Sequence, residues 1–307
     1  MNQPVVDLTT TLAGMTLPSP VMTAAGCAGT GRELAPYLDL TTLGAFTTRT
    51  ITLDARAGAP APRVADTPGG VLTDTGLQNP GLQGFLATEL PWLAQQQVRT
   101  VVSIAAASLG EYGELARRLG TSPGVSGVEV HLDGLDADPY QAGKVLHVVR
   151  RDVPRGVAVL AKLSPGRGVA DVARSVVKNG ADAVVLVHGF PGQLFDPATL
   201  RPVLGGGAGA VSGPAVLAQA LRCVWDVHCA VPDVPVVGAG GVRTGFDVVQ
   251  MLLAGATAVQ VGSVLLNDPT APERITEELA HELSSRGIER PADLVGRGHH
   301  PPEGNHP

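Results

Sequence analysis

The residue types best suited to holding a ligand sit in two glycine-rich turns, Val237-Gly238-Ala239-Gly240-Gly241-Val242 and Ala254-Gly255-Ala256-Thr257-Ala258-Val259-Gln260-Val261-Gly262-Ser263. Glycines let backbone N–H groups approach an anion closely, and a helix beginning after Ser263 would add the positive end of its dipole. Ser212-Gly213-Pro214 supplies a third wall, and together the three segments read as a phosphate cup. Only three of the 22 basic residues are lysines (Lys144, Lys162 and Lys178). Lys162 follows the apolar run Val157-Ala158-Val159-Leu160-Ala161, which places a cation at the end of a strand buried on both faces. A second polar set, Glu129, His131 and Asp133, alternates with Val128, Val130 and Leu132, so three titratable side chains share one side of a strand.

Short β-branched runs bounded by Gly, Pro and Asp alternate with amphipathic stretches along the whole chain. Strands are predicted at 21–24, 45–50, 100–105, 127–132, 157–163, 183–187, 234–238 and 258–262. Helices are predicted near 31–38, 81–97, 110–119, 139–151, 168–179, 213–230, 244–254 and 270–287. Such an alternation demands parallel strands with right-handed crossovers, and eight units in about 250 residues is the size at which the sheet closes. A doubly wound open sheet is the rival, but no GxGxxG follows the first strand, and the Gly-rich turns follow strands 7 and 8, where barrels bind phosphate. The expected fold is therefore α/β, a (β/α)8 TIM barrel. It forms one domain over residues 1–290, with 51–80 as a long loop over the active-site mouth. Residues 291–307 read as a disordered tail, with His299, His300 and His306 solvated rather than ligating a metal.

Composition narrows the partners. With 44% hydrophobic residues the chain can bury a sizeable core, and 39 Gly plus 25 Pro suit a fold with many turns. No Gly-X-Y period occurs, which excludes collagen. A net charge of −6 without a basic cluster argues against nucleic acid or an anionic membrane surface and points to a small-molecule substrate. Cys27, Cys223 and Cys229 have no metal or redox spacing, and no apolar run is long enough to span a membrane, so the cytoplasm is the expected compartment.

These turns combine in order with Pro20-Val21-Met22-Thr23-Ala24-Ala25-Gly26, Gly44-Ala45, Ala61-Pro62-Arg63-Val64-Ala65, Gly76-Leu77-Gln78-Asn79-Pro80-Gly81 and Lys162-Leu163-Ser164-Pro165. In this the sequence resembles the FMN-dependent dihydroorotate dehydrogenases over about residues 7–290, above all class 1 and the catalytic subunit of the NAD-linked heteromeric type. The resemblance implies FMN as cofactor, with Ala24, Ala25, Gly26, Arg49, Thr50, Lys162, Val187, Gly213, Gly240, Gly241, Gly262 and Ser263 around it. It implies that Lys162 stabilises the anionic reduced flavin as hydride arrives. It also implies a substrate site at Asn79, Gly81, Leu82, His131, Asp136 and His188, a homodimer, and an electron-transfer subunit as partner.

The resemblance breaks at the chemistry. Where the family usually reads Glu-Leu-Asn-Ile-Ser-Cys-Pro-Asn, with the cysteine taking a proton from dihydroorotate C5 while C6 gives hydride to FMN, this chain reads Glu129-Val130-His131-Leu132-Asp133-Gly134-Leu135-Asp136. The base position is Gly134, and glycine accepts no proton. His131 or Asp133, a histidine beside a carboxylate, is the expected replacement, which with Lys162 completes the catalytic set. His131, His188 and Asp133 also resemble a two-histidine, one-carboxylate metal set, but vacated asparagine positions explain them as well, and no metal is expected. Arg49 stands for a lysine, Ala106 for an asparagine facing the ring, and Gly189 for a hydroxyl residue. The expected function is hydride transfer from dihydroorotate or a related cyclic substrate to flavin N5 in pyrimidine metabolism. The alternative is a family member that has lost catalysis and serves as a flavin-binding or regulatory subunit.

Overall fold

A computed structural model describes residues 6–132 and 134–300. In chain order its strands are β1 (Thr10–Leu12), β2 (Met15–Leu17), β3 (Val21–Thr23), β4 (Phe46–Thr47), β5 (Val64–Thr67), β6 (Gly70–Thr73), β7 (Thr100–Ile104), β8 (Val125–His131), β9 (Ala158–Leu163), β10 (Ala183–Leu186), β11 (Phe190–Gly192), β12 (Gly209–Ser212), β13 (Val236–Ala239) and β14 (Ala256–Val261). The helices are α1 (Gly81–Gly84), α2 (Leu90–Gln95), α3 (Leu109–Gly120), α4 (Pro139–Asp152), α5 (Val169–Lys178), α6 (Leu217–Ala230), α7 (Gly245–Leu253) and α8 (Ala271–Ser285).

Eight strands pair in parallel in the order β3-β14-β13-β10-β9-β8-β7-β4. The two ends of that series meet: Thr23 N–H donates to Ala45 O (3.1 Å) and Thr47 N–H to Thr23 Oγ1 (2.9 Å). The predicted (β/α)8 barrel is thereby closed, each of its eight strands in the predicted place. Seven of the eight predicted helices are present. Residues 31–38 instead form turns, because Gly29 and Gly31 take φ of +57° and +89°, outside helical geometry.

The barrel interior is layered by strand parity. Ala158 and Leu160 point inward with Met22, Val101, Val185 and Val237, and Leu12 and Leu17 of the β1–β2 hairpin plug the lower end of this apolar layer. Val159, Ala161 and Leu163, the alternate residues of β9, point outward into the packing beneath the helices. Above the apolar layer the inward residues turn polar: Thr47, Ser103, Glu129, Lys162 and Gln260 are all buried. The core therefore ends in a polar floor, on which the site stands.

Two expectations are corrected. Residues 51–80 are not all loop, since β5 and β6 join β11 and β12 in a four-stranded antiparallel sheet of order β11-β12-β6-β5. Its partner strands lie well over 100 residues away, a non-local pairing that local periodicity does not reveal. The tail is ordered through residue 300, while 301–307, His306 among them, lie outside the described residues. Leu294 is 3% exposed, Gly296 N–H donates to Leu252 O (2.9 Å), and His299 stacks on Trp225 with ring centroids 3.6 Å apart. Two apolar anchors on the barrel surface outweigh the segment's Gly/Pro-rich composition. Truncation of a buried leucine costs about 2–5 kcal/mol, so Leu294→Ala should lower the unfolding free energy by that amount and shift the denaturant midpoint down accordingly. A disordered tail would leave the midpoint unchanged.

Candidate active site

A buried chain of polar side chains crosses the upper barrel. Lys162 Nζ donates to Gln260 Oε1 (2.7 Å), Gln260 Nε2 donates to Glu129 Oε2 (2.7 Å), and the same amide nitrogen lies 3.3 Å from Thr47 Oγ1. The Gln260 amide thus stands between a cation and an anion, its oxygen toward one and its nitrogen toward the other. Burial pulls the Lys162 ammonium below its usual range, and the Glu129 carboxylate pulls it back up. Glu129 Oε1 is buried without a hydrogen-bond partner among the described residues.

Two cavities open above this floor. The narrower, about 130 Å³, is lined by Ala24, Ala25, Cys27, Lys162, Val187, Ser212, Val216, Gly240, Gly241, Val242, Gln260, Gly262 and Ser263, with a few neighbours. The wider, about 1050 Å³, is lined by Thr52, Arg56, Asp74, Gly76, Leu77, Ala106, Glu111, Tyr112, His131 and others. Thr73, His188, Gly189 and Ala210 line both, so the cavities adjoin there.

The lining of the narrow cavity suits the phosphate-bearing part of the flavin that the resemblance implies. Among the described residues no Asp or Glu lines the cavity, its one Lys or Arg is Lys162, and one end is built from the turns after β13 and β14. Gly240 and Gly241 take φ of +113° and +82°, and a Cβ on Gly241 would lie 2.7 Å from Leu217, so glycine lets the turn close on the start of α6. Only a four-residue 3-10 segment, Ser263–Leu266, follows β14, in place of the longer helix expected there. Burial pushes the Cys27 thiol up to about 11, with Lys162 acting the other way, so Cys27 stays a neutral wall.

Of the predicted cofactor residues, Ala24, Ala25, Lys162, Val187, Gly240, Gly241, Gly262 and Ser263 line this cavity. Gly26, Arg49, Thr50 and Gly213 do not. Thr50 Oγ1 is spent on Ser103 Oγ (3.0 Å), and Gly213 packs on β6, where a Cβ would lie 2.6 Å from Gly70 Cα. Arg49 lies among acids: burial raises the Glu89 carboxyl, and Arg49 is the foremost charge opposing that rise.

The predicted substrate residues also divide. His131 and His188 line the wide cavity with ring centroids 4.8 Å apart, edge to face. Asn79, Gly81, Leu82 and Asp136 do not line it. Asn79 Oδ1 accepts from Thr52 N (3.2 Å) and Gly81 N (2.8 Å), and its Nδ2 donates to Thr52 Oγ1 and Leu77 O (both 2.8 Å), which uses its whole capacity on the loop. Leu82 is wholly buried in the core, and Asp136 Oδ2 accepts from Ser164 N (2.5 Å), tying the loop after β8 to that after β9. In their place the same loop presents Thr73, Gly76 and Leu77 to the cavity. Gln260 and Thr73 are the site residues the sequence reading missed. Gln260 was legible as a lone polar residue in an inward strand position, whereas Thr73 required the β6–β12 pairing.

His131 does not have the character expected of a base at neutral pH. Burial, then the positive potential of His188 and Lys162, lowers its pKa to about 3. Its carbonyl accepts from Tyr112 Oη (2.9 Å), which fixes the end of β8. Asp133 lies outside the described residues. A histidine held neutral in the folded protein but free to protonate near pH 6.5 when unfolded favours unfolding in acid. Its contribution to stability is present above about pH 6.5 and is lost as pH falls toward 3, by at most about 1.4 kcal/mol per pH unit. Chemical denaturation of His131→Asn across that window should show a shallower loss than the natural protein; identical pH slopes would refute the buried neutral imidazole.

Comparison with known proteins agrees with this geometry. The family model described as dihydroorotate dehydrogenase matches residues 7–283. The chain is 40% identical over 300 residues to a Pelobacter propionicus protein named dihydroorotate dehydrogenase B (NAD(+)), catalytic subunit, covering 94% of this chain and 98% of that one. Proteins of the same name from Desulforudis audaxviator (40% over 298 residues, 94% and 96% covered) and Anoxybacillus flavithermus (36% over 309 residues, 97% and 96% covered) are similarly alike. Among solved structures, the Eimeria tenella DHODH in complex with ferulenol superposes with a TM-score of 0.78 at 20% identity, covering 96% of this chain and 89% of that one, a likeness of fold. On a family match across most of its length and relatives at about 40% identity, the chain belongs to the dihydroorotate dehydrogenase family.

Proposed function

We propose that the protein is an FMN-dependent oxidoreductase of pyrimidine metabolism that takes hydride from dihydroorotate or a closely related cyclic substrate. The observation that carries this reading is the acid-free narrow cavity with Lys162 at its floor, adjoining a wide cavity at His188. Bound FMN would supply the hydride acceptor. Gly240, Gly241, Gly262 and Ser263 would hold the phosphate through backbone N–H groups and the Ser263 hydroxyl, while Ala24 and Ala25 leave room for a flat ring. Lys162, kept in place by Gln260 and Glu129, puts positive charge where negative charge grows during reduction. The relatives are named as catalytic subunits of an NAD(+) enzyme, which supports a separate subunit receiving the electrons. Among the described residues no helix is long and apolar enough to cross a membrane, and the resemblance implies a homodimer.

One observation favours a second reading, a flavin-binding subunit without this turnover. The position where the family carries its cysteine is Gly134, at φ +79°, with no atom within 4 Å of where a Cβ would stand.

Two measurements separate the readings. The protein purified from cells should carry a flavin absorbance band that dihydroorotate bleaches without oxygen. A flavin that dihydroorotate leaves oxidised favours the second reading, and a colourless protein that takes up no added FMN removes both. Ser263→Asp, which puts a carboxylate into the acid-free cavity, should cut FMN retention at least tenfold with an unchanged circular dichroism spectrum; full retention would move the phosphate elsewhere.

A further inference from the structure

We propose that His188 is the proton acceptor of this enzyme, standing in for the cysteine absent at position 134. The proposal rests on the FMN-dependent reading above and adds the residue that completes it. An oxidation that creates a C=C bond removes a proton from one carbon and a hydride from its neighbour. The reacting carbons must therefore lie where the hydride acceptor's cavity meets the substrate's. Among the described residues four line both cavities, and of Thr73, His188, Gly189 and Ala210 only His188 has a basic side chain able to take a proton from carbon.

Its backbone is fixed for the task. Val187 N–H donates to Ala239 O (2.9 Å) and His188 N–H to Leu163 O (2.8 Å), pinning the end of β10 to both neighbouring strands. Gly189 follows, and a Cβ there would lie 2.7 Å from Ala210 Cβ, so its bareness lets β12 approach the backbone next to His188. Around His188, the narrow cavity contributes Lys162 and Cys27 as titratable groups. The wide one contributes Asp54, Arg56, Asp74, Glu111, Tyr112 and His131. His131, more deeply buried, packs edge to face against His188.

In the step, the substrate C–H electron pair forms the new C=C bond as its proton moves to a neutral His188 nitrogen. Bound FMN would accept the hydride leaving the adjacent carbon, and the His188 imidazolium later returns its proton to water.

The test compares the natural protein with His188→Asn, His188→Ala and His131→Asn at matched FMN content, following anaerobic reduction by dihydroorotate. His188→Asn should slow reduction by about 10²-fold or more and abolish the rise of rate with pH. His131→Asn should keep that rise, and added imidazole should partly restore His188→Ala. Reduction of His188→Ala at the natural rate overturns the proposal. A readout without flavin or substrate stands beside it: in apoprotein, the NMR signal of His188, assigned by its loss in His188→Asn, should titrate between about pH 5 and 8. An imidazole that stays in one protonation state across that range also overturns the assignment. If dihydroorotate fails to reduce even the natural protein, the substrate reading falls and the assignment of His188 as its proton acceptor falls with it, whereas a normal natural rate with a non-titrating His188 overturns the assignment alone.

Discussion

An amide held between two buried charges is the constraint from which the site follows. Lys162 and Glu129 both sit inside the barrel, and neither would be stable there alone, because an isolated ion taken out of water costs several kcal/mol even after the surroundings relax. Gln260 resolves this by accepting from the lysine and donating to the carboxylate. The cost is accepted at the one height of the barrel where the charge is useful. One layer lower, Ala158, Leu160 and Val237 make an ordinary apolar core closed by Leu12 and Leu17. The polar layer faces upward into the cavities, so the ammonium is desolvated by protein below and available to a ligand above.

The rest of the architecture keeps that floor dry and shaped. Non-local strands β5, β6, β11 and β12 build a small sheet at the mouth, and through Thr73 and Ala210 it reaches the junction of the two cavities. The glycine turns after β13 let α6 approach the narrow cavity, and Asn79 spends its polar atoms holding the loop that presents Thr73, Gly76 and Leu77. Asn79 thus shapes the substrate space indirectly.

Much of this was legible in the sequence where the signal is local. The eight strands, their parallel order, the inward parity of Glu129 and His131, the glycine cup and the burial of Lys162 all follow from periodicity and residue type over a few positions. What escaped is non-local or compensatory. The mouth sheet pairs residues 70–73 with 209–212, and the ordering of 291–300 depends on Trp225 and Leu252, far away in sequence. The resemblance puts Arg49 at the flavin, and the buried acid Glu89 is an electrostatic partner for it that no local pattern reveals. His131 looked like a base by its type, yet burial beside His188 and Lys162 changes what that type does.

The central claim is that the buried Lys162 charge, held through Gln260 by Glu129, favours the reduced form of a flavin bound above it. The most direct measurement is the midpoint potential of protein-bound FMN in the natural protein and in Lys162→Met, titrated at equal cofactor occupancy. Loss of about 1.4 kcal/mol of that stabilisation corresponds to about 30 mV for a two-electron couple, so the variant's potential should fall by roughly that much or more. A potential unchanged within a few millivolts would contradict the account and reduce Lys162 to a packing residue of the barrel.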